Sequence, residues 1–108
     1  MNTTKIVKTI DVLVFASLIE SYKHNVQISQ HALDHLSYAQ RRPETKEELI
    51  SLILHRKPAG VGIQRNGRYA VFYKESDMYI KIIAQVKHKR FEIITFINTE
   101  FMPNLSRI

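Results

Sequence analysis

His31 and His35 are the residues whose type and spacing most directly suggest chemistry. Four positions apart, they share one face of a helix, with Asp34 beside them. Neutral imidazole titrates near working pH, so the pair could serve as general base and general acid. The same spacing can hold a metal ion, but a third ligand is needed. The run His31-Ala-Leu-Asp-His35 also lacks the Glu that a HExxH zinc site places after its first His. No metal and no cofactor are therefore expected. The plain alternative is structural: imidazoles bonded to backbone or solvent. His24, His55 and His88 read as surface residues. The sequence carries no Gly-rich phosphate loop, nucleophile elbow, EF-hand or paired-carboxylate signature, which argues against ordinary nucleotide hydrolases and metalloproteases. With no cysteine, disulfides, thiolate metal sites and Cys nucleophiles are excluded, and a reducing cytoplasm is the expected setting.

Charge points to a partner class. The net charge is +6 over 108 residues, and its distribution is uneven. Up to His55, six basic residues face six acidic ones; from Arg56 onward, ten basic residues face four acidic ones. The whole excess falls on the second half. A one-sided positive field attracts polyanions: nucleic acid, an anionic membrane surface or an acidic protein.

The elements that must position these residues follow from periodicity. Ile6, Ile10, Leu13, Val14 and Leu18 recur at helical spacing and predict an amphipathic helix over about residues 4–22. Its wide apolar face suits burial or a homodimer contact. Its eight-residue apolar run is too short to span a bilayer, so no membrane is expected. A short extended link from Val26 to Ser29 follows. Ser29 is the N-cap of a second helix reaching about Arg42, with Ala32, Leu33, Leu36 and Ala39 as its buried stripe and His31, His35, Tyr38 and Arg42 on another face. Pro43 ends it. Thr45 and Glu48 form the capping box of a third helix, which Lys57-Pro-Ala-Gly60 stops.

From Val61 the period becomes two. Asn66-Gly67 predicts a two-residue type I′ turn, Glu75-Ser-Asp77 a second turn and Lys87-His-Lys-Arg90 a third. The expectation is an α+β domain with helices packed on one face of a four-stranded antiparallel meander. One sheet face is apolar. The other mixes cations with aromatic rings and hydroxyls, a mixture that suits a polyanion carrying bases. The tail 100–108 is expected to be loose.

The segment from Ile28 to Thr99 resembles the small BrnT-like and RelE-like proteins. The residues that carry this are Ile-Ser-Gln-His31-Ala-Leu-Asp-His35-Leu with Arg41-Arg42, then Glu47-Glu-Leu-Ile50. The strands Arg68-Tyr-Ala-Val-Phe-Tyr, Met78-Tyr-Ile-Lys-Ile-Ile and Phe91-Glu-Ile-Ile-Thr95-Phe-Ile complete it. The resemblance implies a core over 26–99, with 1–25 as an extra N-terminal helix, in the barnase-like and colicin-like ribonuclease group. It implies a toxin-type, metal-independent endoribonuclease acting on RNA, with a cognate antitoxin or other protein partner. Carried over, the helix base is His31, the sheet cation Arg68 or Lys81, and the last-strand hydroxyl Thr95, with His35 as the second proton donor. Arg65, Lys74, Lys87, Lys89 and Arg90 would hold the RNA. The match departs from the family pattern at His35, in the long spacing to Arg41-Arg42 and in the helix before Val26. The alternatives are a nucleic-acid-binding module without chemistry, and a protein-interaction module using its first helix.

Overall fold

A computed structural model describes residues 2–36 and 45–108 of the chain. Its order is β1 (Ile6–Ile10), α1 (Val12–Tyr22), β2 (Val26–Ile28), α2 (Gln30–Leu36), α3 (Lys46–His55), β3 (Gly60–Gln64), β4 (Tyr69–Glu75), β5 (Met78–Lys87), β6 (Arg90–Thr99) and a 3₁₀ turn at Leu105–Arg107. The class is α+β, as the change of period at Val61 requires. The expected meander β3-β4-β5-β6 forms, but as the centre of a six-stranded mixed sheet ordered β1-β3-β4-β5-β6-β2. β1 adds antiparallel to β3 at one edge, and β2 adds parallel to β6 at the other.

Both additions correct the sequence reading. The helix expected over 4–22 is a strand followed by a helix. Ile6-Val-Lys-Thr-Ile10 is rich in β-branched residues, which suit a pleated surface. Asp11 then marks the break: its carboxylate accepts from the N–H groups of Leu13 (2.8 Å) and Val14 (3.4 Å), capping α1. The apolar residues on either side of Asp11 belong to different periods, and a window across both reads as one helix. The extended link at Val26 is a strand because its backbone finds partners on β6, with Val26 opposite Phe91 and Ile28 opposite Ile93.

The three helices share one face of the sheet. Phe15 and Ile19 of α1, Ala32 of α2, and Leu49, Leu52 and Ile53 of α3 pack on Val61, Val71, Tyr73, Ile80, Ile82, Ala84, Phe91, Ile93 and Phe96. The Thr45 hydroxyl accepts from the Glu48 N–H at 3.1 Å and starts α3 as expected. The continuation of α2 through Ala39 to Arg42, and its stop at Pro43, lie outside the described residues.

The turns differ from the reading in type. Asn66-Gly67 sits in a three-residue loop: the Gly67 N–H meets the Gln64 carbonyl at 2.8 Å, the Gln64 N–H meets the Arg68 carbonyl at 2.8 Å, and of the loop residues only Gly67 has positive φ (+87°). That is the turn-plus-bulge hairpin rather than the type I′ form, because Asn66 stays at negative φ. The two-residue type I′ geometry appears instead at His88-Lys89 (φ 53° and 60°), between paired Lys87 and Arg90.

The tail is not loose. Met102 and Leu105 lie over Gly60 on the sheet face away from the helices, so close that a Cβ there would come within 2.6 Å of Leu105. They help cover that face, where Ala70 and Phe72 are fully buried. Among the described residues, no helix is long and apolar enough to cross a membrane.

Candidate nucleic-acid interface

Strand direction decides where the charge goes. In a meander, alternate turns return to the same end of the sheet. The β3–β4 loop (Arg65, Asn66, Gly67, with Arg68 following) and the β5–β6 turn (Lys87 to Arg90) therefore share one end, while the β4–β5 turn at Ser76-Asp77 lies at the other. β1 begins at the first end, since Ile6 pairs with Gln64. The Arg65 N–H reaches the Lys5 carbonyl at 2.8 Å and the Asn66 N–H reaches the Thr3 carbonyl at 2.9 Å, so Lys5 stands beside Arg65. The result is a basic rim of Lys5, Arg65, Arg68, Lys87, Lys89 and Arg90. Among the described residues none of these six is paired with a carboxylate; the ion pairs are Lys23–Glu20 and Arg56–Glu75. All are exposed except Arg68 and Arg90, which are half-buried. Arg90 is held by the Gln27 side chain of β2 at 3.0 Å, which leaves most of its guanidinium donors free. Asp11, Glu75, Asp77 and Glu100 fall toward the opposite end, whereas Glu92 lies close to the rim on β6, accepting from the Gln85 side chain at 3.1 Å.

Of the RNA-binding residues expected from sequence, Arg65, Lys87, Lys89 and Arg90 come together here. Lys74 does not: it lies near the β4–β5 turn, its ammonium 4.6 Å from the centre of the Tyr79 ring. Arg68, expected as a catalytic cation, belongs to the rim. Lys5 was missed, because its place depends on β1, which the periodicity concealed.

The expected catalytic set is not assembled. Lys81 projects from β5 on the face away from the helices, over the Phe72 ring at 5.6 Å, and partial burial lowers its pKa from the ordinary lysine value. Thr95 is on that same face, opposite Ile83. Strict alternation on β6 would place Thr95 with Phe91 and Ile93 among the helices. A β-bulge prevents this: Ala84 pairs with Ile93 and Ile83 with Thr95, Ile94 is skipped, and every later side chain is rotated, so that Phe96 enters the core. The bulge also explains the position of α2. Ile94 leaves a carbonyl for the Ser29 hydroxyl, which donates to it at 2.6 Å and accepts from the Ala32 N–H at 3.1 Å. One hydroxyl thus joins the bulge to the N-cap of α2.

His31 and His35 lie on α2, on the helical side of the sheet. Their Nε2 atoms are 3.0 Å apart, one donating and the other accepting, and the rings meet edge to face at 4.5 Å. His35 stacks edge-on against Phe96 at 6.1 Å. Phe96 is six positions along β6 from Arg90, about 20 Å at strand rise. The sheet separates the imidazoles from Lys81 and Thr95, and most of the length of β6 separates His35 from the rim. Among the described residues no three His, Cys, Asp or Glu side chains converge as a metal site.

No family model, curated protein or solved structure matches this chain.

Proposed function

We propose that this domain binds RNA through the basic rim at the hairpin end of its sheet, as a binding module rather than as a nuclease. The observation that carries this is the convergence, without a carboxylate ion-pair partner among the described residues, of Arg65, Arg68, Lys87, Lys89 and Arg90 on two adjacent hairpins with Lys5 beside them. Such a surface neutralises phosphates and releases their counterions, which supplies affinity without chemistry. Cleavage has one observation in its favour, the paired imidazoles of His31 and His35. Against it stands the separation of that pair from every cation expected to steady the phosphate.

The test is fluorescence anisotropy with a labelled RNA of mixed sequence, titrated at several salt concentrations. Contacts to about five phosphates give a log–log slope near −3.5 for a single strand. Reversing Arg65, Lys87 and Lys89 to Glu should abolish binding, whereas reversing Lys74 and Arg107, away from the rim, should leave it nearly unchanged. Equal losses from both sets would reject the rim as the binding surface. Incubating the same RNA with chelator tests the nuclease reading. Products ending in a 2′,3′-cyclic phosphate that disappear with His31→Ala would restore it, and single-stranded DNA of the same sequence would then remain intact, lacking the attacking hydroxyl.

A further inference from the structure

A second surface owes nothing to the basic rim. Helix α1 buries Phe15 and Ile19 against the sheet, yet Leu13 is 71% and Val14 62% exposed on its outer side. At i+3 and i+4 from Leu13 stand Ala16 and Ser17, and at i+7 Glu20, all exposed. Beside this stripe runs an apolar groove between α1 and the end of α3, with a volume of about 310 Å³. Phe15, Ile19, Ile53 and Leu54 form its apolar floor, Leu13 borders it, and Arg56 lies among its polar lining. Large projecting side chains thus sit next to a hollow of the right character to receive them. Two exposed leucine-sized groups on one helix turn are otherwise a cost for a protein in water.

The groove carries charges of both signs. Glu20 lines the groove from α1, and Lys57 lines it from the chain after α3, next to Arg56, which is itself paired with Glu75. Their placement follows from the sheet. Ile10 pairs with Val61, so the lead-in Lys57-Pro58 lies beside the first turn of α1, whereas Glu20 lies about 10 Å further along that helix. Asp11 caps the start of α1, and Lys23 follows its end, in an exposed ion pair with Glu20 that a second copy would have to exchange. Rotating the molecule by a half-turn about an axis through Ala16 and Ser17 would bring Asp11 toward a second Lys23 and Glu20 toward a second Lys57. It would also bring Leu13 onto the hollow beside a second Ile19. The small residues fall at the crossing point, where two backbones must approach closely.

We infer that α1 is the interface of a two-fold symmetric homodimer, in which the two copies of α1 pack antiparallel, Leu13 of each fills the α1–α3 groove of the other, and Glu20 of each meets Lys57 of the other. The surface is self-complementary in shape and in charge, as an isologous contact requires. Because both basic rims point away from α1's crossing point, the dimer presents two of them.

Sedimentation equilibrium of the full chain over a range of concentrations tests this, with circular dichroism confirming that each variant folds. The wild type should sediment as a reversible dimer. Leu13→Lys changes an exposed side chain, so it should fold normally while raising the dimer dissociation constant about 10- to 100-fold, the effect of losing a central interface residue. Glu20→Lys and Lys57→Glu should each weaken the dimer several-fold, and the double variant, with the charges exchanged, should recover most of the loss. A wild type that stays monomeric at every concentration overturns the inference and leaves the face to a different protein. A dimer indifferent to Leu13→Lys, or single-charge losses that the exchange does not repair, overturns it equally.

Discussion

Replacing Tyr73 with Phe should make the protein more stable. Tyr73 is fully buried at the centre of β4, opposite Ile80, and its hydroxyl has no hydrogen-bond partner among the described residues. A buried hydroxyl left unpaired costs about 1–3 kcal/mol in lost hydration. Phenylalanine keeps the ring and its contacts, so Tyr73→Phe should recover about 1–2 kcal/mol. In a domain of this size that corresponds to a rise in Tm of roughly 5–10 °C. A second signature lies in alkali. Burial raises the Tyr73 pKa far above its ordinary value, an effect the Arg56 guanidinium opposes only partly. Below about pH 10 both folded and unfolded chains hold this proton and no pH dependence arises from it. Above that, the unfolded chain releases the proton and the folded chain does not, so stability falls, at up to about 1.4 kcal/mol per pH unit. Urea titrations of wild type and Tyr73→Phe from pH 7 to 11 should therefore diverge, with the variant ahead at neutral pH and further ahead in alkali. A variant no more stable at pH 7, with a parallel alkaline slope, would refute the reasoning and show that the hydroxyl is satisfied, for instance by a buried water.

Other perturbations have equally definite outcomes. His88 and Lys89 both occupy the left-handed region, which side chains other than Gly and Asn enter at a cost. Exchanging them for Asn-Gly should stabilise the β5–β6 turn by about 0.5–1 kcal/mol, read from the denaturant midpoint. Gly62→Ala should destabilise by about 1–3 kcal/mol, because the new Cβ would lie 2.5 Å from the stiff Cγ2 of Ile6; an unchanged midpoint would mean that β1 does not pair with β3. Lys81→Met should stabilise at neutral pH. Lys81 is protonated in a partly desolvated place and its folded pKa is lowered, so the cost is fully present below that value and relieved as pH rises toward the unfolded one. The advantage of the variant, followed by thermal melts, should therefore shrink in alkali. Ser29→Ala removes both the α2 cap and the bond to the Ile94 carbonyl, for an expected loss of about 1–2 kcal/mol.

The elements with one clear period were legible in the sequence. Helix α3 announces itself by Thr45 and its apolar stripe, and the meander by alternation and turn residues. What escaped depends on partners distant in the chain. β1 has β-branched residues but its period merges with that of α1, and β2 has only three residues; both become strands because β3 and β6 offer unpaired edges. The bulge at Ile94 leaves no mark in a run of β-branched and aromatic residues, yet it decides which face carries Thr95 and Phe96. Periodicity alone therefore could not say whether His31 would meet Thr95. The basic rim was partly visible, because the parity of meander turns already places Arg65 and Lys87 at one end. Lys5 joined it only through the unforeseen first strand.

The separation of charge along the strands has a consequence for how the molecule travels. The ten-residue strand β5 alone spans about 30 Å at strand rise, several times the distance of about 8–10 Å over which salt screens a charge. A polyanion near one end therefore feels the cations there, offset only by Glu92, and little of Asp11, Glu75, Asp77 and Glu100 at the other. Such a body experiences a torque as well as a pull, and it turns like a compass needle before it touches. Collisions that begin sideways are converted into collisions that begin hairpin-first. Capture should thus be faster than the area of the rim alone allows, and the excess should vanish in strong salt before the contacts themselves are lost.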